Sequence, residues 1–593
     1  MYDSRDDVPD EYRFDLEPLF TARDDWAAEC EGLAADVADF DVDRALHEVL
    51  ATFEDLSARD HRLREYANLR ADVATGDDER QGDRDRAASV HRDVMAVREA
   101  VERRIRERSA RETRSIPARF ERYVADVDRR SARELDPAAA DLLADLDYVL
   151  DAPERMHRAL VDRDFEPPTV DVDGEPVTLG RSERGRIQRE GERDVRERAF
   201  RAVRDAFVDR RETLAATLDA MARRNVALAD ARGYDHALAA ALAGDDPYVA
   251  CRPQSKFPRE GYYALVEGVR GQLEPNHRLQ RVRKDALGVE TLQPWDRNAV
   301  PIDGDAPRYE FEDARELILD ALAPLGDAYR SRARTVFEER RIDAFDHPGK
   351  TDRGAAYATY APDAGTFVFA RWNGSLAHLF VLAHELGHAV HAGFAQDAQP
   401  HVTAGIPDPL AELPSKLNEV LLADHLLAAT DGDERGAAAA RAVRSIGANL
   451  YYSARWAAFT HRLHEHVAGG DRLTADWLDA TYGGLFAEFD PVVEVTDRLR
   501  AGWTTGLYGI PLYHHYPYIL GTAGALAVAD GLADDHGGGI TPANYVAFLE
   551  AGTSKPPAEL LADLGVDATS DRVVSDAVSR FDDYVDAFAD ATG

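Results

Sequence analysis

The sequence predicts a mainly α-helical protein with a small β-sheet beside one apolar helix. Three observations carry this prediction. From residue 22 to 110, apolar residues recur at helical spacing among Arg, Asp and Glu. The same period resumes from about Glu183 to Leu242. Strand signals are confined to two short places, residues 169–178 and 355–371.

The elements follow in order. Gly, Asp and Glu gather at residues 76–82 and split the first helical stretch into a helical hairpin. Residues 1–110 therefore form an N-terminal helical region. Residues 111–182 read as a helical linker region that ends in a β-hairpin. There Thr169 to Thr178 alternates around Asp173-Gly174, a pair suited to a tight hairpin turn. A third region, 183–593, runs to the C-terminus. Within it, residues 245–310 are rich in Pro, Gly and single aromatics, and residues 251–261 read as an insertion or remodelled loop. Two strands, 355–360 and 366–371, flank a turn at 361–365 and precede the apolar helix. Their edge suits an extended peptide held by main-chain hydrogen bonds, and equally an ordinary hairpin with aromatic packing. Gly537, Gly538 and Gly539 read as a flexible loop. There is no internal repeat of solenoid length.

Composition narrows the function classes. The chain has 593 residues, 110 acidic against 72 basic, and a net charge of −38. Such a charge repels nucleic acid and anionic membranes, so neither is expected as a partner. The acids are spread along the chain. Only Lys256, Lys284, Lys350, Lys416 and Lys555 are lysines; the remaining bases are arginine. This balance predicts a halophilic source, an archaeon with a salt-rich cytoplasm, where screening over about 3 Å at 1 M salt weakens self-repulsion. Attraction of basic peptides is a second use for the charge. Cys30 and Cys251 make no metal-spaced pair and no disulfide framework, which fits a reducing cytoplasm. The N-terminus is acidic and lacks the apolar core of a signal peptide. No apolar run approaches the length of a membrane span. A cytoplasmic location is expected.

The chemistry is carried by His384-Glu385-Leu386-Gly387-His388. It matches the H-E-x-x-H pattern of zinc hydrolases. Residues four apart share a helix face, so His384 and His388 can reach one metal ion. Glu385 lies beside that face, placed to take a proton from a metal-bound water. The flanks are apolar, and an apolar helix carrying only His, Glu and His would pay heavily for them without a partner. A glycine between the histidines allows close approach to the helix. Hydrolysis by zinc needs three protein ligands, an open position and a base. Downstream, Asp408 reads as an N-cap with Pro409 at the first helical position. Glu412, Ser415 and Glu419 then share one face of a second helix. By spacing alone either glutamate can be the third ligand, with the other orienting a histidine. The metzincin pattern fails, because position 391 is His391 and position 394 is Phe394.

HELGHAVH followed by AELPSKLNE resembles the thimet oligopeptidase and oligoendopeptidase F family of zinc metallopeptidases. The resemblance extends to residues 7–16, to Arg198-Ala199-Phe200 with residues 213–218, to residues 311–345 and to residues 548–552. It covers nearly the whole chain. It implies a multi-helical, two-lobed shell around a deep substrate channel, with residues 183–593 as the zinc metallopeptidase catalytic domain. It implies that Glu412 is the third ligand of a single Zn²⁺, and that Glu419 supports a ligand histidine. It also implies an endopeptidase acting on short unfolded peptides, with Glu385 as general base.

The run 509–518 packs three tyrosines and two histidines into six positions. Amide hydrolysis builds negative charge on the carbonyl oxygen, and a fixed donor there is worth about 3 kcal/mol. The family uses an equivalent His/Tyr-rich segment. Its usual histidine after Ile-Pro is Leu512 here, with His514 and His515 following, while Tyr518 falls where the family has a tyrosine. Tyr518 is the first candidate donor, then His515 and His514. An aromatic packing cluster is the plainer reading of the same run. Competing functions are a zinc carboxypeptidase on a related shell, an inactive zinc-containing peptide-binding protein, and a helical scaffold without metal.

Overall fold

The helical periodicity of the first hundred residues resolves into three helices, Arg23–Ala38, Leu46–Asp72 and Asp78–Arg106, followed by Ala118–Ser131. The computed structural model describes residues 2–244, 256–299, 307–351, 356–505, 513–533 and 539–592. The expected loop calls at 251–255, at Gly537 and Gly538, and at 509–512 lie outside the described residues.

The helical hairpin is present, and its break falls at residues 73–77, at the leading edge of the expected 76–82 cluster. Asp77 explains the position. Its carboxylate accepts the backbone N–H of Glu79 and Arg80, so the helix restarts at Asp78 and runs through Gly82. One cap of about 1 kcal/mol offsets the similar propensity cost of a single helical glycine. The 169–178 hairpin forms as expected: β1, Thr169–Val172, pairs antiparallel with β2, Glu175–Thr178. Asp173 and Gly174 take φ of 54° and 87°, the left-handed pair that a two-residue hairpin turn requires.

The chain divides into two compact units, each drawn from three separate stretches. The first comprises Met1–Ala132, Ala306–His425 and Ala527–Val566. Its sheet has one strand more than the sequence signals: β3 (Ile342–Phe345), β4 (Ala356–Ala361) and β5 (Gly365–Trp372), in the order β3-β5-β4. β5 pairs antiparallel with β4 and parallel with β3. β3 has only four residues, too few to show a period of its own beside the preceding helix. Lys350 ties β3 to β5. Its buried Nζ donates to the carbonyls of Asp343, Phe345 and Ala370 and pairs with the Asp343 carboxylate at 2.7 Å. One apolar cluster joins the N-terminal helices to the sheet, including Trp26, Cys30, Leu63, Val101 and Phe120 with Phe367 and Phe369 of β5. Burial pushes the Cys30 thiol up to about 11, which makes it an inert core residue.

The second unit comprises Arg133–Asp305, Leu426–Leu526 and Asp567–Gly593. Its helices include Arg193–Val208, Arg211–Ala231, Ser453–Ala468 and Arg572–Thr592. Buried charge is neutralised locally. Arg455 pairs with Asp490, whose Oδ1 also accepts Gln280 Nε2 at 2.8 Å. Among the described residues, no helix is long and apolar enough to cross a membrane.

The apolar helix of the first unit is Leu376–Ala398, capped by the Ser375 hydroxyl. Within it His391 is buried and stacks on Phe548 at 6.0 Å. Burial pulls its imidazole down to about 3, against about 6.5 in an unfolded chain. Unfolding therefore takes up a proton between those values, so its contribution is complete above about pH 6.5 and is lost as pH falls. Denaturation of metal-free protein at pH 7, 6 and 5 should show His391→Leu with a pH slope shallower than the parent by about 1.4 kcal/mol per unit below pH 6. Equal slopes would show that His391 does not titrate in this way.

Candidate metal centre

Two helices of the first unit build the site. The first, Leu376–Ala398, is apolar on nearly all sides, with Leu379, Phe380, Leu382, Leu386, Val390 and Phe394 buried. The second, Glu412–Ala429, begins at Glu412. The predicted start at Asp408 is a separate 3-10 turn, Asp408–Leu410, so the α-helix opens one turn later. Pro407 precedes that turn and Pro409 lies within it, and the α region is disfavoured for a residue ahead of proline.

The helices approach at Gly387. A Cβ there would lie 2.6 Å from Ser415 Cα and 2.7 Å from the Pro414 carbonyl oxygen, closer than atoms can pack. Asn418 clamps the pair: its amide donates to the Ala383 carbonyl at 2.9 Å, and its own oxygen accepts the Tyr329 hydroxyl at 2.9 Å.

This contact brings His384, His388 and Glu412 together. Their ligand atoms lie within 4.8 Å of one another. The two Nε2 atoms are 3.2 Å apart, and His384 Nε2 is 3.7 Å from Glu412 Oε2. Tetrahedral zinc with bonds near 2.0–2.1 Å sets its ligand atoms about 3.3 Å apart. Two imidazoles and one carboxylate are also the donor set of a catalytic zinc site with one open position. The residues present therefore fit that ion.

Glu419 faces the other side of His384. Its Oε1 lies 2.8 Å from Nδ1, which it holds protonated, leaving the Nε2 lone pair for a metal. Burial pulls the His388 imidazole down to about 4, with His384 acting in the same direction, so His388 stays neutral and ligand-competent at neutral pH. Burial also pushes the Glu385 carboxyl above the usual carboxylate range, and Glu412 adds to this. His384, the Ala358 backbone N–H of β4 and Lys416 oppose that rise. A carboxylate with a raised pKa beside a metal site is the profile of a general base.

Tyr518, His514 and His515 belong to the second unit. Tyr518 Oη and His514 Nε2 are 3.4 Å apart, with their rings edge to face. His515 is buried, stacks on Trp456 at 5.8 Å and has its imidazole pulled down to about 3 by burial. Tyr513 is buried against His464 and takes φ of 78°, a strained value for a tyrosine. Packing thus occupies His515 and Tyr513, while Tyr518 and His514 pair with each other.

Among the described residues one other group has metal-ligand spacing: His236, His461 and Glu465. There His236 Nδ1 accepts the Leu238 backbone N–H at 3.0 Å as a helix cap. An N–H bonds only to a lone pair, so the ring proton sits on Nε2, and a metal would have to displace either that proton or the cap. Two contributors to the main site had not been singled out from sequence, Lys416 and the Ala358 amide. The rarity of lysine in this chain was a signal for Lys416. No sequence pattern marks a backbone amide.

A model of Peptidase family M3 matches residues 187–580. Oligoendopeptidase F, plasmid, of Lactococcus lactis subsp. cremoris is 26% identical, covering 98% of this chain and 97% of its own length. A solved chain from Chlamydophila abortus is 22% identical with a TM-score of 0.87, covering 100% of both chains. Oligoendopeptidase-F from Enterococcus faecium is 24% identical with a TM-score of 0.69, covering 96% of this chain and 98% of that one. The last two are likenesses of fold.

The tight contact at Gly387 has a measurable consequence. Gly387→Ala should lower the stability of metal-free protein to urea by about 1–3 kcal/mol, because the second helix must move away. It should also lower the metal retained after dialysis. Unchanged stability and unchanged metal content would remove the close approach as a requirement of the site.

Proposed function

The chain belongs to peptidase family M3 and is a metallo-oligopeptidase, and we propose that it cuts internal bonds of short unfolded peptides with one zinc ion. The observation that carries this reading is the set His384, His388 and Glu412 at zinc-ligand spacing with buried Glu385 beside it. Bound zinc supplies Lewis-acid polarisation of the scissile carbonyl and lowers the pKa of the attacking water.

The remaining steps belong to the chain. Glu385 takes a proton from the attacking water and passes it to the leaving amine. Its raised pKa favours the second transfer, because the protonated form survives closer to neutral pH. Glu419 holds His384 in the Nδ1-protonated form throughout. β4 is an edge strand of its sheet, and its Ala358 amide is among the groups that lower the Glu385 pKa. An extended peptide added along β4 would place its main chain next to the base. The role of Tyr518, with His514 at its hydroxyl, as donor to the developing oxyanion is carried by family resemblance. The acidic, lysine-poor composition favours work in a salt-rich cytoplasm.

The test is hydrolysis of a pool of short quenched peptides in high salt, read by mass spectrometry with metal content determined. The parent should cut internal bonds and carry one zinc. Glu385→Gln should keep the zinc and lose at least about 100-fold in kcat, the typical worth of a general base. Trimming of terminal residues alone would replace the endopeptidase reading with an exopeptidase. Zinc bound without cleavage by the parent would point to a peptide-binding protein, and no zinc at all would sink the site.

A further inference from the structure

Lys416 sits within the ligand-bearing turns of the second site helix, between Glu412 and Glu419. Its Nζ donates to Glu419 Oε1 at 2.8 Å. That same oxygen lies 2.8 Å from His384 Nδ1. The three groups form a relay from an ammonium through one carboxylate oxygen to a ligand imidazole. The relay is shielded, with the lysine side chain 13% and the glutamate 7% exposed. An ion pair in such a place is worth more than one in open solvent, and breaking it costs more.

The choice of lysine is informative in this chain. Only five of its 72 basic residues are lysine. Most paired carboxylates take arginine, as in Arg211–Asp479 and Arg498–Asp205, while Lys555 pairs with Asp563 in an exposed place. An arginine fork tends to engage both oxygens of a carboxylate in one plane, whereas an ammonium is a compact charge that can share one oxygen with another donor. At Glu419 the oxygen is shared with an imidazole, and that arrangement selects the ammonium. Charge points the same way. Glu385, Glu412 and Glu419 are three acids packed around a place for a dication, and Lys416 is a cation on the same helix as two of them.

We infer that Lys416 is a positioning residue. It pins Glu419 so that Glu419 holds the His384 ring with Nδ1 protonated and Nε2 presented to the metal. It acts through Glu419 and touches neither substrate nor metal. The inference rests on the zinc reading of the site. Two effects of the ammonium oppose each other. Its charge repels a dication, while its hydrogen bond fixes the group that orients a ligand. Screening in high salt weakens the first more than the second, because the hydrogen bond is a contact.

The experiment is zinc competition against a chromophoric chelator in high salt, using the full-length protein. The proteins compared are the parent, Lys416→Met, Lys416→Arg, Glu419→Gln and the Lys416→Met/Glu419→Gln double variant. Groups that orient a metal ligand are typically worth about 10–100-fold in affinity. Lys416→Met should raise the zinc Kd about 10-fold, and Lys416→Arg should restore part of that loss. The double variant should bind zinc no more weakly than Glu419→Gln, because the lysine acts through that carboxylate. Thermal unfolding of each metal-free variant identifies one that fails to fold, and Lys416→Gln then replaces Lys416→Met. Lys416→Met binding zinc as tightly as the parent, or more tightly, would overturn the inference. So would a double variant whose losses multiply. A parent that binds no zinc would instead overturn the metal reading itself, and the inference with it.

Discussion

The site depends on two helix backbones meeting without a side chain between them. Gly387 lies where a Cβ would run into Ser415 Cα and the Pro414 carbonyl oxygen. Every metal-directed group is referred to this contact. His384 and His388 flank the glycine on one helix, and Glu412 and Glu419 flank Pro414 and Ser415 on the other. If the helices stood one methyl group farther apart, the carboxylates would no longer reach the imidazoles at hydrogen-bond and ligand distances. Asn418 then locks the register by bonding the Ala383 carbonyl, one residue before His384.

Burying this many polar groups in an apolar helix pair is costly unless each has a partner. The partners form two sets: Tyr329 donates to Asn418 and Asn418 to the Ala383 carbonyl, while Lys416 and His384 both donate to one oxygen of Glu419. Glu385 differs. Its carboxyl is buried and raised above the usual range, and its main opposing influences are His384 and one backbone amide. That environment favours the protonated form more than an exposed position would. The cost of burial falls on Glu385, while Asn418, Lys416, Glu419 and His384 each have a hydrogen-bond partner.

The surface follows another logic. Many arginines pair with acids in exposed places, where each pair is worth about 0–1 kcal/mol and less in salt. Lys350 and Lys416 stand apart from them. Both are shielded, and each serves acceptors that converge on one small charge: three carbonyls and a carboxylate for Lys350, one shared oxygen for Lys416.

The sequence by itself determined the helical character, the 169–178 hairpin with its Asp173-Gly174 turn, the two strands around residues 361–365, and the pairing of His384 with His388 on one face. These are local matters, decided by period, turn chemistry and four-residue spacing. It located the hairpin break only to within a few residues, because the Asp77 cap restarts the helix ahead of Gly82. It did not separate β3, because four residues held by Lys350 and β5 carry no period of their own. By spacing alone Glu412 and Glu419 were equivalent candidates. Only tertiary structure distinguishes their surroundings, with Glu419 against Nδ1 and Glu412 on the Nε2 side of the same ring. The same holds for Lys416 and for the Ala358 amide at Glu385. Their roles come from which oxygen they share and which backbone passes nearby, and those relations exist only once distant segments have packed.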